Sequence, residues 1–230
     1  MEEKNKIIQH FYTHVYQSYL YAGGPSQTGQ AYASKFLESR FHVNQPRSIL
    51  EIGGGSGEHL SHVKSVPSEL YASIDVRDTK VDVESLKIDF KLKQVLRFDV
   101  GNVQALPYEG QIFDRVLGTC VLHHISDPFA ALQEVRRVAR TGAEICFVLP
   151  TDPGILNRLI KKFVTFPRLR KLSSYPPELF YALDHQNHVE SLIQIFRYVF
   201  RGDQVSICYS PFRLRSWNLN LLVTLKATIN

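Results

Sequence analysis

A buried-strand pattern that runs directly into a glycine-rich turn constrains the fold of this chain more than any other feature of its sequence. Residues 48–52 read Ser-Ile-Leu-Glu-Ile, and Gly53, Gly55 and Gly57 follow at alternate positions. A strand that ends in such a turn typically starts a βαβ unit, in which the glycines let the backbone approach a ligand closely. The dinucleotide pattern G-x-G-x-x-G fails because its last position is Glu58, and no Gly-Lys-Ser/Thr follows as in a P-loop. The sequence therefore predicts an α/β ligand-binding fold that does not bind nicotinamide dinucleotides.

Apolar segments that alternate with helical patterns indicate a parallel sheet. Further strands are predicted at 70–75, 94–98, 113–117 and 143–149, and helices at 3–20, 58–66, 128–140 and 188–200, with another ending near residue 40. Two closely linked strands, 204–210 and 219–228, end the chain, which favours a hairpin and hence an antiparallel edge. We expect an α/β, Rossmann-like, mostly parallel sheet of seven strands with an antiparallel C-terminal strand, N-terminal helices and a cap inserted after the fifth strand.

The composition is that of a folded protein in a reducing compartment. The 230 residues are 44% hydrophobic and 21% charged, close to the average of globular domains. Cys120, Cys146 and Cys208 form no C-x-x-C pair, which argues against a disulfide framework and against a structural zinc site. The N-terminal residues show no secretory leader, and no apolar run reaches the ~20 residues of a membrane span. We expect a soluble, cytoplasmic protein.

The positive charge of the chain is concentrated in one segment. The net charge is +5, and residues 153–177 contain no acidic side chain but six basic ones, Arg158, Lys161, Lys162, Arg168, Arg170 and Lys171. A local basic patch points to an anionic ligand or surface. The same segment carries apolar residues at helical spacing, Ile155, Leu156, Leu159, Ile160 and Phe163. This stripe is typical of a helix at a membrane surface, with packing on the sheet as the alternative.

Acidic residues after the later strands complete a family pattern. Asp75 ends the second predicted strand, Asp99 follows the third ahead of Leu106-Pro107, and Phe113-Asp-Arg-Val-Leu opens the fourth. Together with Glu-Ile-Gly-x-Gly-x-Gly at 51–57, these motifs resemble the class I S-adenosylmethionine-dependent methyltransferases, in their small-molecule branch. The resemblance covers residues 47–150, with weaker similarity in the C-terminal strands. It implies S-adenosyl-L-methionine as the cofactor.

The resemblance also implies roles for individual residues. The three glycines would approach the methionine part of the cofactor, Asp75 would bind the ribose hydroxyls, and Asp99 with the Val100 amide would read the adenine edge. Gly118 and Thr119 would face the methionine amino group, and Asp114 would hold the entry of the fourth strand. The cofactor-binding residues expected on this basis are Glu51, Gly53, Gly55, Gly57, Asp75, Val76, Asp99, Val100, Gly118 and Thr119.

The same resemblance suggests how the chain is organised. We expect one methyltransferase domain over 1–230. Its expected parts are an N-terminal helical lid (1–45), a cofactor-binding core (46–150), an acceptor cap (151–187), and a C-terminal helix with a hairpin (188–230).

Histidines are the candidate general bases for the acceptor. His123 and His124 follow the fourth strand, near the methyl group if the family geometry holds, and His124 is either the base or a scaffold residue. Asp184, His185 and His188 form a second cluster, in which the two histidines are spaced to share a helix face. The expected catalytic residues are His124, His123 and His188. A third ligand in a matching motif is missing, so we expect no metal.

Acceptor contacts are expected from the cap and from the first helix. Tyr12, Tyr16 and Tyr19 lie on one side of that helix, where packing is the plainer interpretation and contact with cofactor or acceptor the other. The expected acceptor-binding residues are Tyr16, Arg168, Arg170 and His185.

These observations predict transfer of a methyl group to an oxygen or nitrogen of a small acceptor of anionic or glycosyl character. Three alternatives stay open: a lipid or quinone methyltransferase at a membrane surface, a non-catalytic cofactor-binding protein, and an RNA methyltransferase. The fourth strand leads into Gly118-Thr-Cys-Val and not into (Asn/Asp)-Pro-Pro-Tyr, and Cys120 has no preceding proline. We therefore expect neither amino-group methylation of nucleic-acid bases nor pyrimidine C5 methylation, and the sequence predicts no oligomeric state.

Overall fold

The structure, a computed structural model, describes residues 2–15, 25–41, 43, 45–89 and 95–230. Within these residues seven strands form one sheet, β1 (Ser48–Ile52), β2 (Leu70–Asp75), β3 (Val95–Val100), β4 (Phe113–Thr119), β5 (Ala139–Pro150), β6 (Gln204–Ser210) and β7 (Leu222–Thr228). Their spatial order is β3-β2-β1-β4-β5-β7-β6. Strands β1 to β5 are parallel, and β7 runs antiparallel to both β5 and β6. The predicted fold class is confirmed.

The strand order reverses between β1 and β4. Strand β1 is buried along its whole length, with β2 on one side and β4 on the other, which suits the apolar residues Ile49, Leu50 and Ile52 on both of its faces. In open α/β sheets such a reversal leaves a ligand crevice at the carboxyl ends of the strands. The glycine turn follows β1 and residues 120–124 follow β4, so both segments border this crevice.

Helices cover both faces of the sheet. They are α1 (Glu2–His10), α2 (Pro25–Arg40), α3 (Val83–Asp89), α4 (Pro128–Val138), α5 (Ile155–Ile160), α6 (Phe166–Leu169), α7 (Pro177–Asp184) and α8 (Val189–Val199). Leu132 of α4 and Phe196 of α8 are buried in the core on one face, and Leu37 of α2 packs with Tyr71 on the other. Among the described residues, no helix is both long and apolar enough to cross a bilayer.

The first helix packs against the segment that follows β5. A π-helical turn, Phe11–Val15, extends α1, and another, Lys161–Thr165, joins α5 to α6. The ring of Phe11 stacks on that of Phe180 in α7, with centroids 3.5 Å apart, and both side chains belong to one small apolar cluster. The N-terminal segment and the predicted cap are thus held together by aromatic packing.

The predicted helix over 58–66 is wrong. The chain forms only a 3-10 turn, Glu58–His62, in which the Val63 amide donates to the Leu60 carbonyl. Pro67 lies a few residues further on, and a proline both lacks an amide donor and disfavours helical backbone at the residue before it. The turn therefore ends before a full helix can form.

Other element boundaries differ from those predicted. Helix α4 ends at Val138, not at residue 140, because Ala139 already pairs with Phe113 of β4 and β5 begins there. Strand β7 begins at Leu222, not at residue 219, because a 3-10 turn, Trp217–Leu219, precedes it. The first helix was predicted over 3–20, and residues 16–20 lie outside the described part of the chain.

Candidate active site

The glycine turn after β1 forms a cradle that side chains would fill. Gly53, Gly55 and Gly57 have φ angles of 70°, 54° and 88°, in the left-handed region that favours glycine. A Cβ atom on Gly53 would lie 2.5 Å from Cγ2 of Val121, in the segment after β4. Glycine at position 53 is therefore needed for the turn to lie this close to residues 120–124. The backbone of the turn borders the crevice.

The carboxylate of Asp75 lies beside this turn, at the end of β2. Its Oδ2 atom is 3.3 Å from the Gly55 amide nitrogen, and its Oδ1 atom accepts from the amide of Arg77 at 2.9 Å and from Nε of Arg77 at 3.2 Å. The Arg77 guanidinium in turn lies 4.6 Å from the centre of the Tyr12 ring. Tyr12 on the N-terminal segment thus reaches the neighbourhood of Asp75, where sequence analysis left its role open.

Two exposed apolar residues lie at the neighbouring ends of β2 and β3. Val76 and Val100 are 73% and 62% exposed, and Val100 pairs with Asp75 in the sheet. Asp99 precedes Val100, and its carboxylate accepts from the Tyr108 hydroxyl at 2.6 Å and from Nε of Arg97 at 2.8 Å. Tyr108 was not among the predicted site residues, although it directly follows Leu106-Pro107.

Glu51 lies beneath the glycine turn. It is fully buried, and its Oε2 atom accepts from the Tyr71 hydroxyl at 2.7 Å. Burial raises the pKa of the Glu51 carboxyl above its ordinary value, and the nearby His59 and the hydrogen bond from Tyr71 counter this only in part. The Glu51 carboxylate therefore lies inside the sheet and next to the turn, where a Cβ atom on Gly54 would be 2.8 Å from its Oε2 atom.

Gly118 and Thr119 end β4 at the same edge of the sheet. A Cβ atom on Gly118 would lie 2.7 Å from Cε1 of Phe147 and 2.9 Å from Cγ1 of Val121. Internal packing alone therefore accounts for a glycine at this position. Thr119 is half-buried.

The crevice fits an adenosine-type cofactor. It combines a cradle that excludes side chains, a carboxylate on the neighbouring strand and two exposed apolar residues at the next strand ends. These are the groups needed for backbone approach, for hydroxyl binding and for contact with a base. The assignment of each residue to one part of S-adenosylmethionine stays a prediction.

Three histidines from distant segments meet beside the crevice. The ring centroids of His123 and His124 are 3.9 Å apart, and His185 lies 4.5 Å from the first and 4.9 Å from the second. His124 Nδ1 lies 2.9 Å from Oδ2 of Asp184, and the Tyr12 hydroxyl donates to the same oxygen at 2.9 Å. The structure thus brings His123 and His124 together with Asp184 and His185, which were predicted as part of a separate cluster.

A second carboxylate supports the other side of this cluster. Oδ2 of Asp152 lies 3.1 Å from Nδ1 of His185 and also bonds the ammonium group of Lys161. Burial raises the pKa of the Asp152 carboxyl, but the bonds from His185 and Lys161 outweigh it and bring the pKa to about 2. Asp152 is therefore ionised and holds the His185 ring in place.

Burial keeps two of the histidines neutral. Burial lowers the pKa of His123 well below its ordinary value, and the neighbouring His124, His185 and Lys161 lower it further. Burial also lowers the pKa of His185, although the hydrogen bond to Asp152 counters part of the shift. For Asp184 burial raises the pKa, but the bonds from His124 and Tyr12 outweigh it, and the net pKa is lowered. The cluster thus combines neutral imidazoles with ionised carboxylates.

The cluster also has the spacing of a candidate metal site. One ring nitrogen from each of the three histidines lies within 4.8 Å of the other two. The His123 Nδ1 atom is buried and has no hydrogen-bond partner among the described residues. The sequence predicted no metal because it did not bring these three side chains together.

Several predicted residues lie apart from the cluster. His188 is exposed and precedes α8, while His185 follows α7, so the prediction that these two share a helix face is wrong. Arg168 is exposed on α6, and Arg170 pairs with Glu178. Tyr16 lies outside the described residues.

The fold and the crevice together define the class of protein. The strand order, the glycine cradle and the carboxylates at the ends of β2 and β3 are those of a class I S-adenosylmethionine-dependent methyltransferase. Residues 50–147 match the family model described as "Methyltransferase domain". Residues 50–147 are therefore a methyltransferase domain of this class, whose cofactor is S-adenosylmethionine.

Named relatives cover the core of the chain. Over 102 residues it is 30% identical to ajmaline N-methyltransferase of Rauvolfia serpentina, a match that covers 44% of this chain and 35% of the relative. Over 121 residues it is 29% identical to the ubiquinone/menaquinone biosynthesis C-methyltransferase UbiE of Legionella pneumophila, covering 50% and 48%. The chain thus spans less than half the length of these curated relatives.

A solved structure shares nearly the whole fold. The plantazolicin methyltransferase BpumL, in complex with SAH, aligns over 100% of this chain and 96% of its own, with a TM-score of 0.62 and 16% identity. At this identity the likeness concerns the fold alone. It extends beyond the methyltransferase core to the segments at both ends of the chain.

Proposed function

We propose that this protein transfers a methyl group from S-adenosylmethionine to an oxygen or nitrogen of a small acceptor bound beside the histidine cluster. The observation that carries the proposal is the position of His124, next to an ionised carboxylate and at the border of the crevice. Val121, three residues before it, would touch a Cβ on Gly53. The proposed acceptor base therefore adjoins the proposed cofactor cradle.

The cofactor site of the proposal is built from the residues at the strand ends. Asp75 would accept hydrogen bonds from the ribose hydroxyls, and Val76 and Val100 would lie against the adenine. Asp99 already holds Arg97 and Tyr108, so its role toward the adenine edge would be shared with the adjacent Val100 amide. When bound, S-adenosylmethionine supplies a methyl group that a sulfonium centre has already activated.

The protein would contribute orientation and a proton acceptor. The charge of the Asp184 carboxylate, 2.9 Å from His124 Nδ1, would favour the proton of His124 on Nδ1, so that Nε2 would take a proton from the acceptor. Such a base typically contributes ~10²–10⁴-fold in rate, whereas orientation of the reactants is worth up to ~7–11 kcal/mol. Positioning would thus carry more of the acceleration than the base.

Tyr12 would link the two halves of this site. Its ring lies against Arg77, which holds Asp75, and its hydroxyl bonds Asp184, which holds His124. The N-terminal segment would therefore join the cofactor side to the acceptor side. This arrangement supports the predicted role of residues 1–45 as a lid.

The charge of the cap supports an acceptor of anionic or glycosyl character, but less strongly than the sequence suggested. Two of its six basic residues have counter-ions just outside the segment, since Lys161 pairs with Asp152 and Arg170 with Glu178. Acidic residues that flank the segment therefore neutralise two of its six cations. The other four, Arg158, Lys162, Arg168 and Lys171, are exposed.

A lipid or quinone acceptor at a membrane surface is the second candidate. The exposed side chains of Ile155, Leu159 and Phe163 on the cap favour it. The UbiE relative is named as a C-methyltransferase of ubiquinone/menaquinone biosynthesis, so this candidate would place the methyl group on carbon.

Methyl-labelled S-adenosylmethionine, incubated with pools of phenols, amines, sugar phosphates and quinols, tests the proposal. Label on oxygen or nitrogen of a soluble acceptor supports it, and label on carbon of a quinol supports the second candidate. Cofactor binding without labelling of any pool would contradict both and favour a non-catalytic binding protein. An Asp75→Ala control shows that labelling depends on the proposed cofactor site.

A further inference from the structure

The outer face of the cap carries an exposed apolar stripe. Ile155, Leu159 and Phe163 are four residues apart along α5 and its π-helical extension, and they are 56%, 47% and 67% exposed. Side chains at this spacing lie on one side of a helix. The prediction that the stripe packs on the sheet, offered as the alternative, is therefore wrong for these three residues.

A neighbouring loop extends the same surface. Phe212, Leu214 and Leu219 are each at least half exposed, and the Ile155 amide bonds the side chain of Asn218 next to Leu219. The buried Asn220 side chain fixes the loop, because it accepts from the Phe212 amide and donates to the Leu214 carbonyl. We call these six side chains, Ile155, Leu159, Phe163, Phe212, Leu214 and Leu219, the apolar patch.

Only cations are interleaved with the apolar patch along the chain. Exposed Arg158 and Lys162 alternate with its helical members, and exposed Arg213 and Arg215 alternate with those of the loop. Neither 153–177 nor 204–230 contains an acidic residue. Long basic side chains beside apolar ones can keep their charge at the level of lipid headgroups while the apolar residues enter the acyl region.

The opposite side of the same helical segment faces the proposed active site. Lys161 lies between Leu159 and Lys162 in sequence, but its side chain is largely buried and bonds Asp152 of the histidine cluster. Thr165, on the inner side, is also buried. One short segment therefore separates the apolar patch from the histidine cluster.

We propose that the apolar patch docks this protein onto the surface of an anionic lipid bilayer. Charge decides against the obvious alternative, a second copy of the chain, because a symmetric dimer through this surface would bring Arg158 and Lys162 of both copies together. An anionic bilayer neutralises these cations and receives the apolar side chains at the same time. The proposal concerns attachment alone and does not depend on the acceptor or on methyl transfer.

Flotation of the full chain with lipid vesicles tests the proposal. Vesicles of phosphatidylcholine with phosphatidylglycerol should carry the protein upward, and vesicles of phosphatidylcholine alone should carry much less. Leu159→Ser with Phe163→Ser should weaken the partitioning at least ~10-fold, since about half of each side chain is exposed and burial of a whole large apolar side chain is worth ~1.5–3 kcal/mol. Arg158→Gln with Lys162→Gln should weaken it ~25-fold, at ~1 kcal/mol per cation.

Matched controls separate docking from general stickiness. Val66→Ser with Val95→Ser removes two exposed apolar side chains elsewhere, and Arg197→Gln with Arg201→Gln removes two exposed cations on and after α8. Both double variants should float like the unaltered protein. Equal losses in control and patch variants would overturn the proposal, as would the absence of flotation with anionic vesicles.

Two further readouts complete the test. The chain contains one tryptophan, Trp217, beside Asn218 and Leu219, so docking should shift its fluorescence to the blue with anionic vesicles only.

Sedimentation velocity without lipid should show the same mass for patch variants and unaltered protein. A dimer that dissociates on Leu159→Ser with Phe163→Ser, without vesicle binding, would contradict the proposal and assign the surface to a second copy. Binding of S-adenosylhomocysteine should be the same in all these variants.

Discussion

His124 Nδ1 lies 2.9 Å from Oδ2 of Asp184, although the two residues belong to different elements far apart in the chain. His124 ends the short turn after β4, and Asp184 ends α7 in the cap. The Tyr12 hydroxyl bonds the same carboxylate oxygen. Core, cap and N-terminal segment therefore meet at one carboxylate, and this junction sets the orientation of the proposed base.

Replacement of His124 by Gln should lower kcat ~10²–10⁴-fold and leave the Kd for S-adenosylhomocysteine unchanged, because the base acts only on the acceptor. Steady-state kinetics and calorimetry check this with an acceptor from the labelling screen. Full turnover in His124→Gln would leave this residue as scaffold.

Asp184 should act through His124 as a positioning residue. Asp184→Asn keeps the shape of the side chain but removes the charge that holds the His124 proton on Nδ1. We expect a lower kcat and an altered pH profile of kcat, with the same Kd for S-adenosylhomocysteine. A uniform loss of activity with the pH profile unchanged would indicate a purely structural role.

Arg168 and Lys171 on the cap should act on the acceptor and not on the cofactor. Arg168→Gln with Lys171→Gln should raise the KM of an anionic acceptor and flatten its dependence on salt, since exposed charges are screened over ~8 Å at physiological ionic strength. Arg170→Gln is the matched control, because Glu178 already pairs with that guanidinium. If the double variant leaves KM and its salt dependence unchanged, the acceptor does not meet these side chains.

The stability of the protein should fall below neutral pH because of the buried His123. Burial lowers its pKa in the folded state, while in the unfolded chain a histidine titrates near ~6.5. Below that pH the unfolded state binds more protons than the folded state. The contribution of His123 to the free energy of unfolding is therefore fully present above pH ~6.5 and is lost as the pH falls below it.

Urea unfolding at about pH 7.5 and 5.5 measures this loss, which reaches at most ~1.4 kcal/mol per pH unit for one group. His123→Asn should show a smaller loss between the two values. The exposed His188→Asn serves as the control and should behave like the unaltered protein. An unchanged loss in His123→Asn would show that other groups cause it.

The cofactor crevice was predictable because its residues lie at the ends of strands or directly after them. The glycine turn, Asp75 and Asp99 lie within a few positions of β1, β2 and β3, and parallel strands bring their carboxyl ends together. The predicted sheet and its antiparallel edge rest on the same local patterns. The helix predicted after the glycine turn shows the limit of such local patterns. Between Gly57 and Pro67 the chain forms only the 3-10 turn Glu58–His62.

The acceptor side was predictable only in pieces. His123 and His124 were found from their place after β4, and His185 from its neighbours, but no spacing relates Asp184 to Tyr12 or Asp152 to Lys161. These contacts depend on how the cap folds back on the core, which is a matter of tertiary packing. The counter-ions Asp152 and Glu178 directly flank the basic segment in the sequence, one on each side.

Calorimetric titration with S-adenosylhomocysteine tests most directly that the crevice beside the glycine turn holds the cofactor. The unaltered protein should bind it, and Asp75→Ala should weaken binding ~10²–10⁴-fold, the loss of two hydrogen bonds of ~1.5–3 kcal/mol each to a carboxylate. Asp78→Ala, which removes an exposed carboxylate three residues away, should bind like the unaltered protein. Equal affinities for Asp75→Ala and the unaltered protein, or binding of a nicotinamide dinucleotide in place of S-adenosylhomocysteine, would contradict the assignment.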